Sequence, residues 1–216
     1  MSKTRKQQKA VSRKLARRKA RPGRGLFATP PKQPSVERAK EWPVLECLIA
    51  AEWQRPAALS QIVVARRSPL GEVAMASFLV DLGCLGVKDA MTRYFPSEAA
   101  YRQTFLTKLK SVQKMQKCSL DLAAKVIGEA IQYARDLGFE PHPDSQVALP
   151  ILEGTHPEDC PDRVPLGGEN GKPLFFAGPY DDPQRIIRTL ERTVGPGNFD
   201  YMVAIGGPDD FFDEVP

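Results

Sequence analysis

Residues 71–95, GEVAMASFLVDLGCLGVKDAMTRYF, hold the most continuous apolar run in the chain. Val73, Phe78 and Val80 lie there among Ala and Met, a composition that suits a strand covered on both faces. Asp81 closes the run, and Gly83 and Gly86 interrupt it before Lys88 and Asp89, so a turn or bulge is expected at that point. Glu72 to Gly86 is therefore read as the central strand and turn of the core.

Upstream, Val44 to Ala51 and Gln61 to Arg67 are runs rich in Ile, Val and Leu on either side of Gln54-Arg55-Pro56, and read as two strands. Ser68-Pro69-Leu70-Gly71 has Pro at the second and Gly at the fourth position of a type I turn, which joins the second strand to the central one. Three strands in sequence with short connections predict an antiparallel meander. The folded body is expected to begin at Trp42 or Pro43.

Downstream, Ser97 is a candidate N-cap with Glu98 in the first turn, and Tyr101, Phe105, Leu109 and Val112 share one helical stripe. A second helix starts at Ser119, with Leu120, Ala123, Ile127, Ala130, Ile131 and Ala134 on its apolar face and Gly138-Phe139 as its C-terminal cap. Glu140 to Gly168 is rich in Pro, Asp and His, with Val147 to Leu152 as a short strand. Asn170-Gly171 signals a hairpin whose arms are Val164–Leu166 and Leu174–Ala177. Asp182 and Pro183 open a third helix with Ile186, Ile187, Leu190 and Val194 as its stripe, and Phe199, Tyr201, Val203 and Ile205 alternate as a last strand that extends the sheet. The expected fold class is α+β: an antiparallel β-meander packed by two or three amphipathic helices, preceded by a disordered basic N-terminal arm. The expected boundaries are 1–40 for the arm and a Pro-rich linker, 41–207 for a single domain, and 208–216 for an acidic tail.

The net charge of +5 conceals a division. Residues 1–24 carry eleven Lys and Arg and no Asp or Glu, which leaves twenty basic against twenty-six acidic residues, a balance of −6, for the rest. The eleven are Lys3, Arg5, Lys6, Lys9, Arg13, Lys14, Arg17, Arg18, Lys19, Arg21 and Arg24. Such a segment neutralises phosphates and releases condensed counterions, so the expected partner is the RNA or DNA phosphate backbone, with an acidic protein as the other candidate. No aromatic precedes Phe27, so base stacking is not implied. With only Val11 and Leu15 as large apolar residues, the arm suits neither membrane insertion nor a mitochondrial transit peptide. Cys47, Cys84, Cys118 and Cys160 form no C-x-x-C pair, and no apolar run spans a bilayer or serves as a secretory leader; reduced thiols and a cytoplasmic location are expected.

Motifs for chemistry are sparse. Asp81 and Asp89, joined by Asp121 and Glu129 of the second helix, would be the acids of a metal-dependent nuclease, which needs carboxylates converging on divalent ions. A strand-end Asp that caps its own turn or pairs with Lys88 is the structural alternative. His142 and His156 lie near Asp144, Glu158, Cys160 and Asp162, but the single H-x-x-x-C from His156 to Cys160 supplies two zinc ligands where four are needed. Gly167-Gly168 and Gly206-Gly207 lack the Gly-Lys-Ser or Gly-Lys-Thr of a phosphate loop. The sequence thus implies no catalytic set, cofactor or metal, and the leading expectation is a non-enzymatic nucleic-acid-associated protein.

Three stretches, FLVDLGCLGVKDA (78–90), AIQYARDLGFEPHPD (130–144) and GKPLFFAGPYDDPQRIIRTLERTVGPGNFDY (171–201), together resemble a family of uncharacterised bacterial proteins. Some relatives in that family carry a C-terminal SEC-C motif, a Cys-rich zinc knuckle; this chain has no Cys after Cys160, so the motif and its ligands are absent. The resemblance implies a compact bacterial domain and transfers no functional residue.

Overall fold

The computed structural model describes residues 36–203. Four strands follow one another as an antiparallel meander: β1 (Val44–Ala50), β2 (Leu59–Arg67), β3 (Val73–Asp81) and β4 (Gly86–Phe95). A short β5 (Met115–Lys117) pairs with β1, giving the order β4-β3-β2-β1-β5. The helices are α1 (Val36–Ala39), α2 (Glu98–Tyr101), α3 (Thr107–Val112), α4 (Leu120–Asp136), α5 (Ser145–Ala148) and α6 (Pro183–Val194). The fold is mixed α+β, with an antiparallel sheet covered by helices.

The stretch 71–95 contains two strands where the sequence reading placed one. Asp81 pairs with Gly86 across the connection, and Asp81 Oδ1 accepts the N–H of Cys84 at 2.9 Å and of Leu85 at 3.3 Å. β4 is concealed in the sequence because it is an edge strand: Lys88, Asp89 and Arg93 break its apolar pattern, and only Val87, Ala90 and Phe95 bury apolar side chains.

In β3, by contrast, every residue but Leu79 is buried, and successive side chains go to opposite faces. Ala76, Phe78 and Val80 meet Ile62 and Val64 of β2 and Cys47 and Ile49 of β1 in one cluster. Val73 and Met75 meet Val63, Ala65 and Leu48 in the other. Both faces therefore need cover, and each receives helices.

The first face takes α4. Ser119 Oγ accepts the Leu122 N–H at 3.0 Å as its N-cap, and Ala123, Ile127, Ala130, Ile131 and Ala134 are buried on the sheet. The helix ends as the sequence predicts, with Gly138 at φ +88°, its N–H on the Arg135 carbonyl and the Phe139 N–H on the Ala134 carbonyl. Small residues let α4 approach β4 closely: a Cβ on Gly86, which sits at φ +66°, would lie 2.8 Å from the Ala130 carbonyl oxygen and the Ala134 Cβ. Val147 to Leu152, expected as a strand, is instead the end of α5 followed by a 3-10 turn, Leu149–Leu152, with Pro150 in its first positions. Pro lacks the N–H a ladder requires, and a helical turn places Ala148 and Ile151 together in the core of this face.

The second face takes α2 and α3, joined by a π-helical turn, Arg102–Leu106. Ser97 caps the segment by accepting the Ala100 N–H at 3.2 Å, and Tyr101, Phe105, Leu106 and Leu109 pack on the sheet. Val112, expected on the same stripe, is 83% exposed. The wider turn rotates the residues after it away from the 3.6-residue register, bringing Leu106 inward and sending Val112 to solvent.

Arg66 fastens the N-terminal segment to the sheet. Only 6% exposed, its guanidinium donates to the carbonyls of Ile151 and Trp42 at 2.8 Å and of Glu153 at 2.6 Å. Val36 and Ala39 are buried, so packed residues begin before the expected start at Trp42.

A third cluster forms where the β3–β4 turn meets the C-terminal segment: Cys84, Leu85, Leu137, Phe175, Leu190 and Phe199, with Ile186, Ile187 and Val194 of α6 against it. Asp182 caps α6 by accepting the Arg185 N–H, with Pro183 in the first turn. The Asn170-Gly171 hairpin does not form. The turn exists, closed by Gly168 N–H on the Lys172 carbonyl, but Leu174 N–H goes to the Gly83 carbonyl, and β6 (Leu174–Phe176) pairs in parallel with β7 (Asp200–Met202) across α6. The last strand therefore belongs to a separate two-stranded sheet and does not extend the main one. Ile205 lies outside the described residues. Among the described residues no helix is long and apolar enough to cross a membrane.

Candidate functional site

Asp81, the first catalytic candidate, is 7% exposed at the end of β3. One of its oxygens is engaged by two backbone N–H groups of its own turn. Burial raises its carboxyl above the ordinary value, while those N–H groups and the Lys88 charge pull the other way. Lys88 itself pairs with Asp181 at 2.6 Å, and the same Asp181 oxygen accepts the Gly178 N–H at 2.8 Å, tying β4 to the loop after β6. Asp121 accepts the His156 N–H at 2.8 Å, and Asp89 is exposed on β4. Asp81 is thus the cap of a turn, and the acids a nuclease would gather have separate surroundings.

The other motifs resolve in the same way. His156 faces Glu158 at 3.4 Å on the surface, and the Cys160 thiol lies 3.6 Å from Asp162. Among the described residues no three His, Cys, Asp or Glu side chains gather as a metal ion requires. The glycine-rich stretch Leu166–Gly171, all but Asn170, lines an open cleft of about 300 Å³ together with Gln54 and Arg163. Its amides are used within the fold: Gly167 donates to Leu82, Gly168 to Lys172 and Gly171 to Gly168. A phosphate loop needs such N–H groups free and convergent.

What the structure adds is a division of charge across the sheet. Between residues 90 and 120, Glu98 is the one acid, against Arg93, Arg102, Lys108, Lys110, Lys114 and Lys117. This segment runs from the end of β4 through α2, α3 and β5, over the second face. Glu98 is matched by Arg67 at 2.9 Å and Arg102 at 2.8 Å, whereas Lys108, Lys110, Lys114 and Lys117 are exposed and in no ion pair among the described residues. The segment from Asp136 to Asp162 contains seven Asp and Glu and no Lys or Arg, and its Ala148, Ile151 and Cys160 pack on the first face. A windowed charge count finds both runs in the sequence, but only the fold sends them to opposite faces.

The eleven basic residues of the arm, Lys3 to Arg24, lie outside the described residues. Comparison with protein-family models, curated proteins and solved structures finds no match for this chain.

Proposed function

We propose that this protein is a non-enzymatic nucleic-acid-associated protein that holds RNA or DNA by its phosphate backbone. The observation that carries the reading is the composition of residues 1–24, eleven cations without one carboxylate. Each cation that replaces a condensed counterion contributes through release of that ion, with no need for base recognition. The four lysines of the second face support the same reading, and the acids flanking Ala148, Ile151 and Cys160 on the first face would repel phosphate, so the body meets a polyanion by one side.

Fluorescence anisotropy at low salt tests it, with a labelled single-stranded RNA and a labelled DNA duplex. The full chain binds both, and the full chain with Gln at the eleven arm positions loses most of that affinity. Equal affinity of the two proteins overturns the proposal. So does binding to an acidic polypeptide with none to either nucleic acid, which favours a protein partner instead.

A further inference from the structure

We infer that Cys47 and Cys118 are a modification site, a thiol pair that a peroxide converts into an intramolecular disulfide. Cys47 lies on β1 and Cys118 follows directly after β5, and the register that sets Leu48 opposite Lys117 sets these two residues opposite each other. The Cys118 N–H donates to the Cys47 carbonyl at 3.1 Å, and the two Sγ atoms are 3.3 Å apart. Residues paired directly across antiparallel strands have Cα atoms about 4.5–5.5 Å apart, within the span of about 4.4–6.8 Å that a disulfide bridges. The sulfurs need only close from 3.3 Å to about 2.05 Å. Cys118 sits at the joint between β5 and Ser119, the cap of α4, where the backbone leaves the ladder and can take up that movement.

The two thiols are inequivalent in a way that orders the chemistry. Cys47 is buried and Cys118 is partly exposed. The hydrogen bond between the two sulfurs holds the Cys118 thiol below its ordinary value, while that bond and burial raise the Cys47 thiol. Cys118 is therefore the attacking thiolate. It displaces hydroxide from hydrogen peroxide, forming a sulfenic acid, and the hydroxide takes up the released proton as water. The Cys47 sulfur then attacks the Cys118 sulfur, its proton leaves with the departing hydroxyl as a second water, and the S–S bond forms. Two thiols lose two electrons and two protons, and one peroxide becomes two waters. Cys84, held in the third cluster, and Cys160, whose thiol faces Asp162, have no cysteine within sulfur reach among the described residues.

The test is thiol counting and peptide mapping of the full chain after treatment with excess hydrogen peroxide. Two of the four thiols are lost, a cross-linked peptide joins Cys47 to Cys118, and dithiothreitol restores both. The Cys84→Ala/Cys160→Ala variant behaves likewise, and Cys47→Ala leaves Cys118 to proceed to sulfinic acid. Four thiols surviving, a cross-link through Cys84 or Cys160, or sulfinic acid at Cys118 of the unmodified sequence without a cross-link each overturns the inference. The map of the unmodified sequence decides the matter even if a variant does not fold.

Discussion

Asp81 holds two turn N–H groups on one oxygen in a site that burial makes unfavourable for its charge. Asp81→Ala leaves those N–H groups without an acceptor and is expected to cost about 1–3 kcal/mol in denaturant unfolding, whereas Asp81→Asn keeps an acceptor oxygen and costs less. The sign of the pH dependence follows from the raised carboxyl. The folded state binds its proton more tightly than the unfolded state does, so that contribution is present in full below the ordinary carboxylate range and is lost as pH rises through the folded value. Stability of the unsubstituted protein relative to Asp81→Asn should therefore improve on acidification through that window; an opposite trend contradicts the placement of Asp81. The Cys47–Cys118 pair has a consequence on the same scale. A bond across 71 residues of chain removes loop entropy from the unfolded state worth about 4 kcal/mol, so the oxidised protein should unfold at higher denaturant than the reduced one.

Helix termini were legible because their signals are local: Ser97, Ser119 and Asp182 each accept the N–H three residues on, and Gly138 caps α4. The meander was legible through β3, where burial on both faces leaves an unbroken apolar run. The edges were not. β4 reads as polar because solvent covers its outer positions, and β5 is three residues whose pairing to β1 depends on packing far along the chain. The Asn170-Gly171 signal gave a turn without a hairpin, since the tie from Leu174 to Gly83 and the parallel pairing to β7 decide where β6 goes. Among the helices, the π turn defeated the 3.6-residue stripe, and it yields a sharp test. Leu106→Ala should cost about 2–5 kcal/mol as a core truncation, and Val112→Lys should stay within about 0.5 kcal/mol. In an uninterrupted helix from Ser97 the ranking would reverse. Unfolding midpoints of the two variants distinguish these cases.

For the whole molecule, the sequence showed the basic arm, and the fold showed that the body is itself bipolar. Opposite charge on two faces of one sheet was out of reach of the linear reading, because the overall balance of −6 after residue 24 averages a basic helical segment with an acidic irregular one. The candidate acids failed to converge for a related reason: Asp81, Asp89, Asp121 and Glu129 are spaced over two strands and a helix, where Asp81 and Asp121 accept backbone N–H groups, Asp89 is exposed and Glu129 is half-buried on α4. If the second face helps to hold phosphate, reversing Lys108, Lys110, Lys114 and Lys117 to Glu should weaken nucleic-acid binding in anisotropy titrations, while replacing four acids between Asp136 and Asp162 by neutral amides should not. Each lysine that no longer neutralises a phosphate lowers the salt dependence by about one counterion.

If the arm holds phosphates by charge alone, the salt dependence of binding reports how many cations engage. Titrating a labelled DNA duplex with the full chain across a range of salt concentrations should give a linear fall of log affinity against log salt, with a slope bounded near −10 if all eleven arm cations engage phosphates at about 0.9 each. Substituting Gln at those eleven positions should remove most of the slope along with the affinity. A slope near zero, or one that the substitution leaves unchanged, contradicts phosphate binding by the arm.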